Sequence, residues 1–341
     1  MNAPHPAGDA DRPLVTLFVF AYRQQDTVRE AIEAAFAQTY GPLEILLSDD
    51  ASPDGTFEVM RRMAESYRGP HRVTLNRNAR NLGIVAHLDR IAEIAAGELL
   101  VQNGGDDISE PDRVAALIEA WRASGPTPES RAALVHSEAL RIDAAGRPLG
   151  VRRPSPVVDS RVSPEAFLRG NMYVIGATQM WARRLHRRFG PLSPTALVED
   201  RALPFRALLD AGAAFVDRPL LRYRAGGVSE TEDGGDPAAA RVRRLLYRRW
   251  YVSCYRTYAR DLDAAGGAEL DPLRAICAQE LRLHELRLAA AERTGLARLA
   301  LIPEALRLAV RRREPEIAAD LARAMAGAWR AGAAEGRERI R

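Results

Sequence analysis

Residues 14–22 (LVTLFVFAY) form a near-continuous apolar run, and this run constrains the fold most. Such a stretch, rich in β-branched and aromatic side chains and lacking polar alternation, is buried on both faces, as the central strands of a parallel sheet are. Parallel neighbours need crossover connections, and the following sequence supplies them. Val28, Ile32 and Phe36 recur at helical spacing behind a Thr27–Glu30 capping-box pattern. Residues 43–47 read as a second strand, and Phe57, Met60, Met63 and Tyr67 as the next helical stripe. Residues 72–75 are a third strand, with Ile84, Leu88, Ile91 and Ala95 behind them. Residues 99–101 continue the alternation, followed by Val114, Leu117, Ile118 and Trp121 as a stripe. Residues 132–136 are a further strand, with a turn at 143–146. The pattern predicts an α/β fold with a mostly parallel, Rossmann-like sheet and right-handed crossovers.

Two acid pairs fall at the carboxyl ends of predicted strands. Asp49-Asp50 closes the second, and Gly104-Gly105-Asp106-Asp107 follows the run 99–101. In open α/β sheets that end is where ligands bind. Adjacent carboxylates are costly there unless water, donors or a cation satisfy them. A divalent cation such as Mn²⁺ or Mg²⁺, held by one or two carboxylates and carrying substrate phosphates, fits the pattern. The competing reading is acids decorating a helix start. The repeat of the placement, with Tyr22 ending the first strand, predicts one nucleotide-phosphate and metal crevice.

Composition narrows the chemistry. All 49 basic residues are arginine, so a Walker A loop and a Schiff-base lysine are both excluded. No Gly-x-Gly-x-x-Gly occurs. Cys254 and Cys277 make neither a metal pattern nor a disulfide framework, which predicts a reducing compartment, and cytoplasmic residence is the expectation. Residues 1–12 are polar and expected to be disordered, and no window has the length of a membrane span. From Arg241 onward lie 21 of the 49 arginines but only 13 of the 45 acids, so the tail is net +8 and the remainder net −4. A basic, helical extension from 236 to 341 is therefore expected to follow a domain at 13–235.

Further along, residues 151–163 are rich in Arg, Pro and Ser and read as a loop over the crevice. Glu199-Asp200 opens a helical segment, and Tyr223-Arg224 precedes Gly226-Gly227 and Ser229. At this point the chain resembles the family 2 inverting glycosyltransferases of GT-A fold, over residues 13–230. Its landmarks stand in order: Tyr22, Gln38-Thr39-Tyr40, Ser48 to Thr56 (SDDASPDGT), Asn81-Leu82-Gly83, Gly97-Glu98, Gly105 to Ile108 (GDDI), Glu199-Asp200, and Tyr223-Arg224 with Ser229.

The resemblance implies roles residue by residue. Tyr22 borders the nucleobase and Asp50 bonds its edge, with Asp49 as companion acid. Asn81 and Gly83 belong to the nucleotide-binding side. Asp106 and Asp107 match the end of the DXD region, which holds ribose and the metal-diphosphate. Asp200 matches the catalytic base, and Glu199 orients the acceptor or its loop. Three positions depart from the pattern. Gly104 replaces the first acid, Phe20-Ala21-Tyr22-Arg23 replaces Pro-Thr-Tyr-Asn, and Gly226-Gly227 stand where a histidine often follows.

The implied reaction is single displacement from a nucleotide-diphosphate sugar, UDP-linked before dTDP-linked, to a hydroxyl of a saccharide or lipid-linked acceptor. Two alternatives are a non-catalytic nucleotide-sugar-binding module and a sugar nucleotidylyltransferase. The latter wants a lysine and a glycine-rich loop that are absent here. Asp200 read by spacing alone is a helix cap. His87 and His136 read as structural, and Met180 and Trp181 as core. The tail's apolar faces, interrupted at Pro303 and followed by Arg311-Arg312-Arg313, suit packing on the catalytic domain or a second copy. The alternative is an anionic membrane at the inner face. Nucleic acid is disfavoured, since no groove-reading helix accompanies the arginines.

Overall fold

The computed structural model describes residues 12–170, 172–192, 199–226, 237–293, 297 and 300–312. The expected tail through residue 11, Gly227, Ser229 and Arg313, and Leu296 and Leu299 of the tail's apolar faces, lie outside the described residues. The chain divides into two units, Met1–Thr231 and Glu232–Arg341.

The first unit opens with β1 (Val15–Ala21), α1 (Val28–Phe36), β2 (Leu43–Asp49), α2 (Thr56–Ser66), β3 (Arg72–Arg77), α3 (Ile84–Ile94) and β4 (Leu99–Gly104). β1 is parallel to both β2 and β4, and β2 to β3. β1 and β2 are buried almost throughout, as their two-sided apolar runs require. Leu17, Val19, Ile45, Leu47 and Val101 pack against Ile32 of α1 and Met60 of α2.

Beyond β4 the strict alternation ends. β5 (Ile108–Ser109), α4 (Arg113–Ala123), β6 (Leu134–Ile142), β7 (Pro148–Arg152), α5 (Pro164–Arg169), β8 (Met180–Ala182), α6 (Arg184–Phe189), α7 (Ala202–Leu208) and β9 (Ala213–Arg224) complete the unit. The sheet runs β3-β2-β1-β4-β8-β6-β9-β5, with β7 on β6. β8 is antiparallel to β4 and β6, and β5 to β9. The α/β expectation, with a mostly parallel sheet in its first half, holds.

Several local expectations change. Thr27 makes no capping bond to α1. Its Oγ1 donates instead to the Gly105 carbonyl at 3.0 Å, and Glu30 is drawn to Arg224 at 2.7 Å. A tertiary partner in the Gly105–Asp107 loop outcompetes the local cap. Val151 and Arg152 end strand β7 rather than begin a loop, because their backbone pairs with Leu140 and Ala139 of β6. Met180 and Trp181 are buried core, as expected.

The polar members of the apolar runs are all accounted for. Thr16 donates to Glu44 Oε2 at 2.7 Å and accepts from the Gly97 N–H at 2.9 Å. Glu44 also accepts from Thr74 and from the Ala96 N–H. This buried knot ties β1, β2, β3 and the start of β4 together.

In the second unit, α8 (Pro237–Ala265), α9 (Asp271–Glu292) and α10 (Ile302–Arg312) are helical, as the tail predicts. Leu283, Leu286, Leu301, Ala305 and Leu308 form its small core. Pro303 does not interrupt a helix. It sits in the first turn of α10, where a missing N–H costs nothing. Ile302, Leu306 and Val310 on α10, and Val242, Leu246 and Tyr247 on α8, stay exposed. Among the described residues no helix is long and apolar enough to cross a membrane.

Gly97 lies so close to β1 that a Cβ there would meet the Thr16 backbone nitrogen at 2.5 Å. Gly97→Ala is therefore expected to cost about 1–3 kcal/mol as an overpacked contact. A denaturation midpoint unchanged from wild type would contradict this account of the knot.

Candidate active site

The tip of β1 joins the two acid loops. The Asp50 N–H donates to Ala21 O at 2.9 Å, and the Gly105 N–H to Phe20 O at 3.0 Å. Tyr22 follows directly, 40% exposed, with Arg23 5.3 Å from its ring centroid. Arg23 and Ala51 both take positive φ, 57° and 58°, unusual for residues with a Cβ. Strain of this kind clusters where a site demands a special backbone path. The Arg23 N–H is held by Ser52 Oγ and the Gln24 N–H by Thr56 Oγ1, so the turn after β1 is anchored on the loop after β2.

Asp49 and Asp50 are both buried but do different work. Asp49 Oδ2 accepts from the Ser52 N–H at 3.0 Å and faces Arg77 Nε at 3.3 Å. Asp50 accepts from Asn78 Nδ2, the Leu82 N–H and the Gly83 N–H, all within 2.9 Å. It thereby folds the loop after β3 over the β2 tip, with Gly83 at φ 79° starting α3. Asn81 is exposed on that loop.

Beside it lies a cavity of about 480 Å³ lined by Asn76, Arg77, Asn78, Arg80, Leu82 and Arg90. These arginines escaped the sequence reading. Their signal was available, as three cations between 77 and 90 beyond a strand's carboxyl end. His87 is buried under the same loop with Nε2 2.6 Å from Ser48 Oγ, and burial lowers its pKa.

Asp106 and Asp107 converge. A Cβ placed on Gly104 would lie 2.9 Å from both Asp106 Oδ1 and Asp107 Oδ2. A side chain at 104 would crowd both carboxyls where they now stand, and glycine leaves them room. Burial raises the pKa of Asp106, against the pull of Gln24 and Arg224. Burial and then the Asp106 charge raise Asp107 to about 8. Two such groups do not both ionise without a counter-charge.

Two carboxylate oxygens facing one point suit an ion completed by diphosphate oxygens, and among the described residues no third acid, His or Cys joins them.

Two arginines frame the pair. Arg113 is fully buried and donates to Asn103, Ser109 and the carbonyls of Gln102 and Ala177. Arg224 donates its backbone N–H to Asp107 Oδ1 at 3.1 Å. Its guanidinium spans the Asp106 carbonyl, Glu30 and the carbonyls of Asp143 and Ala144.

Glu199 and Asp200 stand just before α7. Glu199 Oε1 accepts from Gln102 Nε2 of β4 at 2.6 Å, and burial raises its pKa. Burial, then the Glu199 charge, pushes Asp200 up to about 7, with Arg201 and Arg152 opposing. The structure thus joins Tyr22, both acid pairs and Gly83 around the tips of β1, β2 and β4. It links Glu199-Asp200 to β4 through Gln102. His136 is buried with Nε2 on Val158 O at 2.7 Å, a structural role.

Residues 16–127 match the family model for Glycosyl transferase family 2. EpsE of Bacillus subtilis (strain 168) is 33% identical over 102 residues, which cover 30% of this chain and 36% of that protein. Succinoglycan biosynthesis protein ExoO of Rhizobium meliloti (strain 1021) is 34% identical over 118 residues, covering 33% and 31%. The chain thus spans about a third of the length of these curated relatives. In shape it is similar to the crystal structure of S. aureus TarS 1–349 in complex with UDP-GlcNAc. That likeness has a TM-score of 0.52 at 13% identity, over 93% of this chain and 92% of that one. The stretch from residue 16 to residue 127 is a glycosyltransferase family 2 sequence, carried on a fold of GT-A type.

Proposed function

We propose that this chain is an inverting glycosyltransferase of polysaccharide or glycoconjugate assembly. It takes a sugar from a nucleotide-diphosphate donor, UDP-linked in the first instance, to an acceptor hydroxyl on a saccharide or lipid-linked saccharide. The observation that carries the reading is the pairing of two carboxyl systems with opposite needs. Burial raises the pKa of both Asp106 and Asp107 against the nearby arginines, so a bound cation would favour their ionised forms. Asp200 stands apart, half-buried, with Oδ1 lacking a partner among the described residues and its pKa near neutral. A donor's diphosphate would meet the first system, and an acceptor's hydroxyl the second.

In this reading Tyr22 borders the base. Asp50 has spent three acceptor sites on the Asn78–Gly83 loop, leaving one for an N–H of the base edge. Asp49 holds the turn, and Asn81 and Gly83 line the nucleotide side. The arginine-lined cavity gives the nucleotide's phosphates a cationic approach. Asp106 and Asp107 would hold a divalent cation, which when bound offsets the charge developing on the leaving diphosphate. Asp200 takes the proton of the acceptor hydroxyl as that oxygen attacks the anomeric carbon from the face opposite the leaving group, inverting it. Burial, with the Glu199 charge beside it, keeps the base protonated until pH approaches 7.

Asp200→Asn is expected to lower transfer by about 10²–10⁴-fold while calorimetric UDP affinity stays within about twofold. Full activity in that variant would sink the base assignment.

The pKa of Asp200 carries a sign that can be measured. Its folded value lies above the unfolded value of ~3.9, so the fold prefers the protonated form. That contribution is complete below about pH 4 and is lost as pH rises through about 7. The kcat profile should rise over the same upper range. Subtracting the Asp200→Asn stability curve from wild type should isolate this loss, and a flat difference would contradict it.

Asp106→Ala or Asp107→Ala should abolish the gain in UDP affinity that Mn²⁺ confers over EDTA. An equal Mn²⁺ effect in both variants would remove the pair from the metal site.

A further inference from the structure

Gln102 is an amide where the sheet calls for a hydrocarbon. It is 1% exposed in β4, between the fully apolar Leu100 and Val101 and the acid loop that begins two residues later. Burying an amide is unfavourable unless its groups are bonded. Gln102 Nε2 is bonded, to Glu199 Oε1 at 2.6 Å, across 97 residues of sequence. Its Oε1 has no partner among the described residues.

The residue opposite repeats the anomaly. The antiparallel register of β4 and β8 places Gln179 across from Gln102, and the Gln102 N–H donates to Gln179 O at 3.0 Å. Gln179 is fully buried, and neither end of its amide finds a partner among the described residues. Two buried amides with open hydrogen-bonding capacity therefore sit together where a packed sheet would be more stable with aliphatic side chains.

Glu199, which Gln102 holds, is tightly confined. A Cβ on Gly176 would lie 2.5 Å from Glu199 Oε1, so a glycine alone leaves room for this carboxyl. The Glu199–Asp200 backbone is fixed at two further points. The Val174 N–H donates to Asp200 O at 3.1 Å, and the Leu203 N–H to Glu199 O at 3.1 Å. The Asp200 side chain, whose Oδ1 has no partner among the described residues, takes its place from this peptide.

We propose that Gln102 is a positioning residue for the displacement: its amide clamps Glu199, and through the Glu199–Asp200 peptide sets the Asp200 carboxyl relative to the Asp106–Asp107 pair carried by the same strand. β4 then acts as a ruler between the base and the leaving-group site. The inference rests on the reading of Asp200 as base. The charged groups facing Asp200 are Glu199, Arg201 and Arg152. Losing the Gln102 donor favours the protonated form of Glu199, which removes a negative neighbour from Asp200 and lets it ionise at lower pH.

The test compares Gln102→Met, a chain of similar length without an amide, with Glu199→Gln and the double variant, on the whole protein. Gln102→Met is expected to lower kcat about 10- to 100-fold, with donor KM and UDP affinity within about twofold. The acid limb of its kcat profile should move to lower pH, and the double variant should be no worse than the weaker single. Wild-type kcat and pH limb in Gln102→Met would overturn the proposal. So would losses that multiply in the double variant, or a joint fall in kcat, UDP affinity and stability with the limb unmoved.

Side-chain amide NMR of the wild-type chain provides a readout that needs neither that variant to fold nor any turnover. The Gln102 amide protons should shift as Glu199 and Asp200 titrate and lose that response in Glu199→Gln; amide protons blind to pH would overturn the clamp. If wild type transfers no sugar from any nucleotide sugar, the glycosyltransferase reading fails, while the NMR titration still decides whether Gln102 orders Glu199.

Discussion

Everything at the candidate site hangs on the last two carbonyls of β1. Phe20 O accepts from the loop after β4, and Ala21 O from the loop after β2. One strand end therefore holds both acid pairs in register, and it can do so because β1 is paired in parallel on both edges. Buried backbone groups must be satisfied. Here the groups that would be orphaned where the strand ends are bonded by the acid loops themselves. The polar knot at the other end of the sheet, Thr16 with Glu44 and Gly97, fixes the strands' stagger and so the height of their tips.

From that anchor the site is an exercise in placing negative charge where water is scarce. Each acid is handled differently. Asp50 accepts three hydrogen bonds and becomes a staple for a loop. Asp49 is shared between a turn and Arg77. Asp106 and Asp107 come together beside Gly104, their pKa values raised by burial against the pull of nearby arginines. Asp200 has no partner on Oδ1 among the described residues, and burial keeps its proton to higher pH. Identical side chains acquire different chemistry because burial, donors and neighbouring charge differ at each position.

Much of this was legible along the chain, and the reason is periodicity. β1 and β2 announce themselves by two-sided apolar runs, and α1, α2 and α3 by stripes at helical spacing. Acids at strand ends are legible too, since they break those runs. The start of β6 and the turn after it are legible too, but β7 and the short antiparallel strands β5 and β8 are not. At two or three residues β5 and β8 carry no period, and their pairing partners lie far away in sequence. Thr27 misled for a related reason: a capping pattern is local, while its Oγ1 answered to Gly105, 78 residues on.

By itself, the sequence determined the layered α/β architecture, the order of strands and helices in its first half, and the identity of the acids at strand ends. Those depend on local hydrophobic pattern, which each segment carries alone. Only the tertiary structure decided what each acid does. The three donors that Asp50 takes from the Asn78–Gly83 loop, the Arg224 N–H on Asp107, and the hydrogen bond from Gln102 to Glu199 all join residues remote in sequence. The energy of a buried charge depends on what surrounds it in space, and no reading of neighbours along the chain contains that.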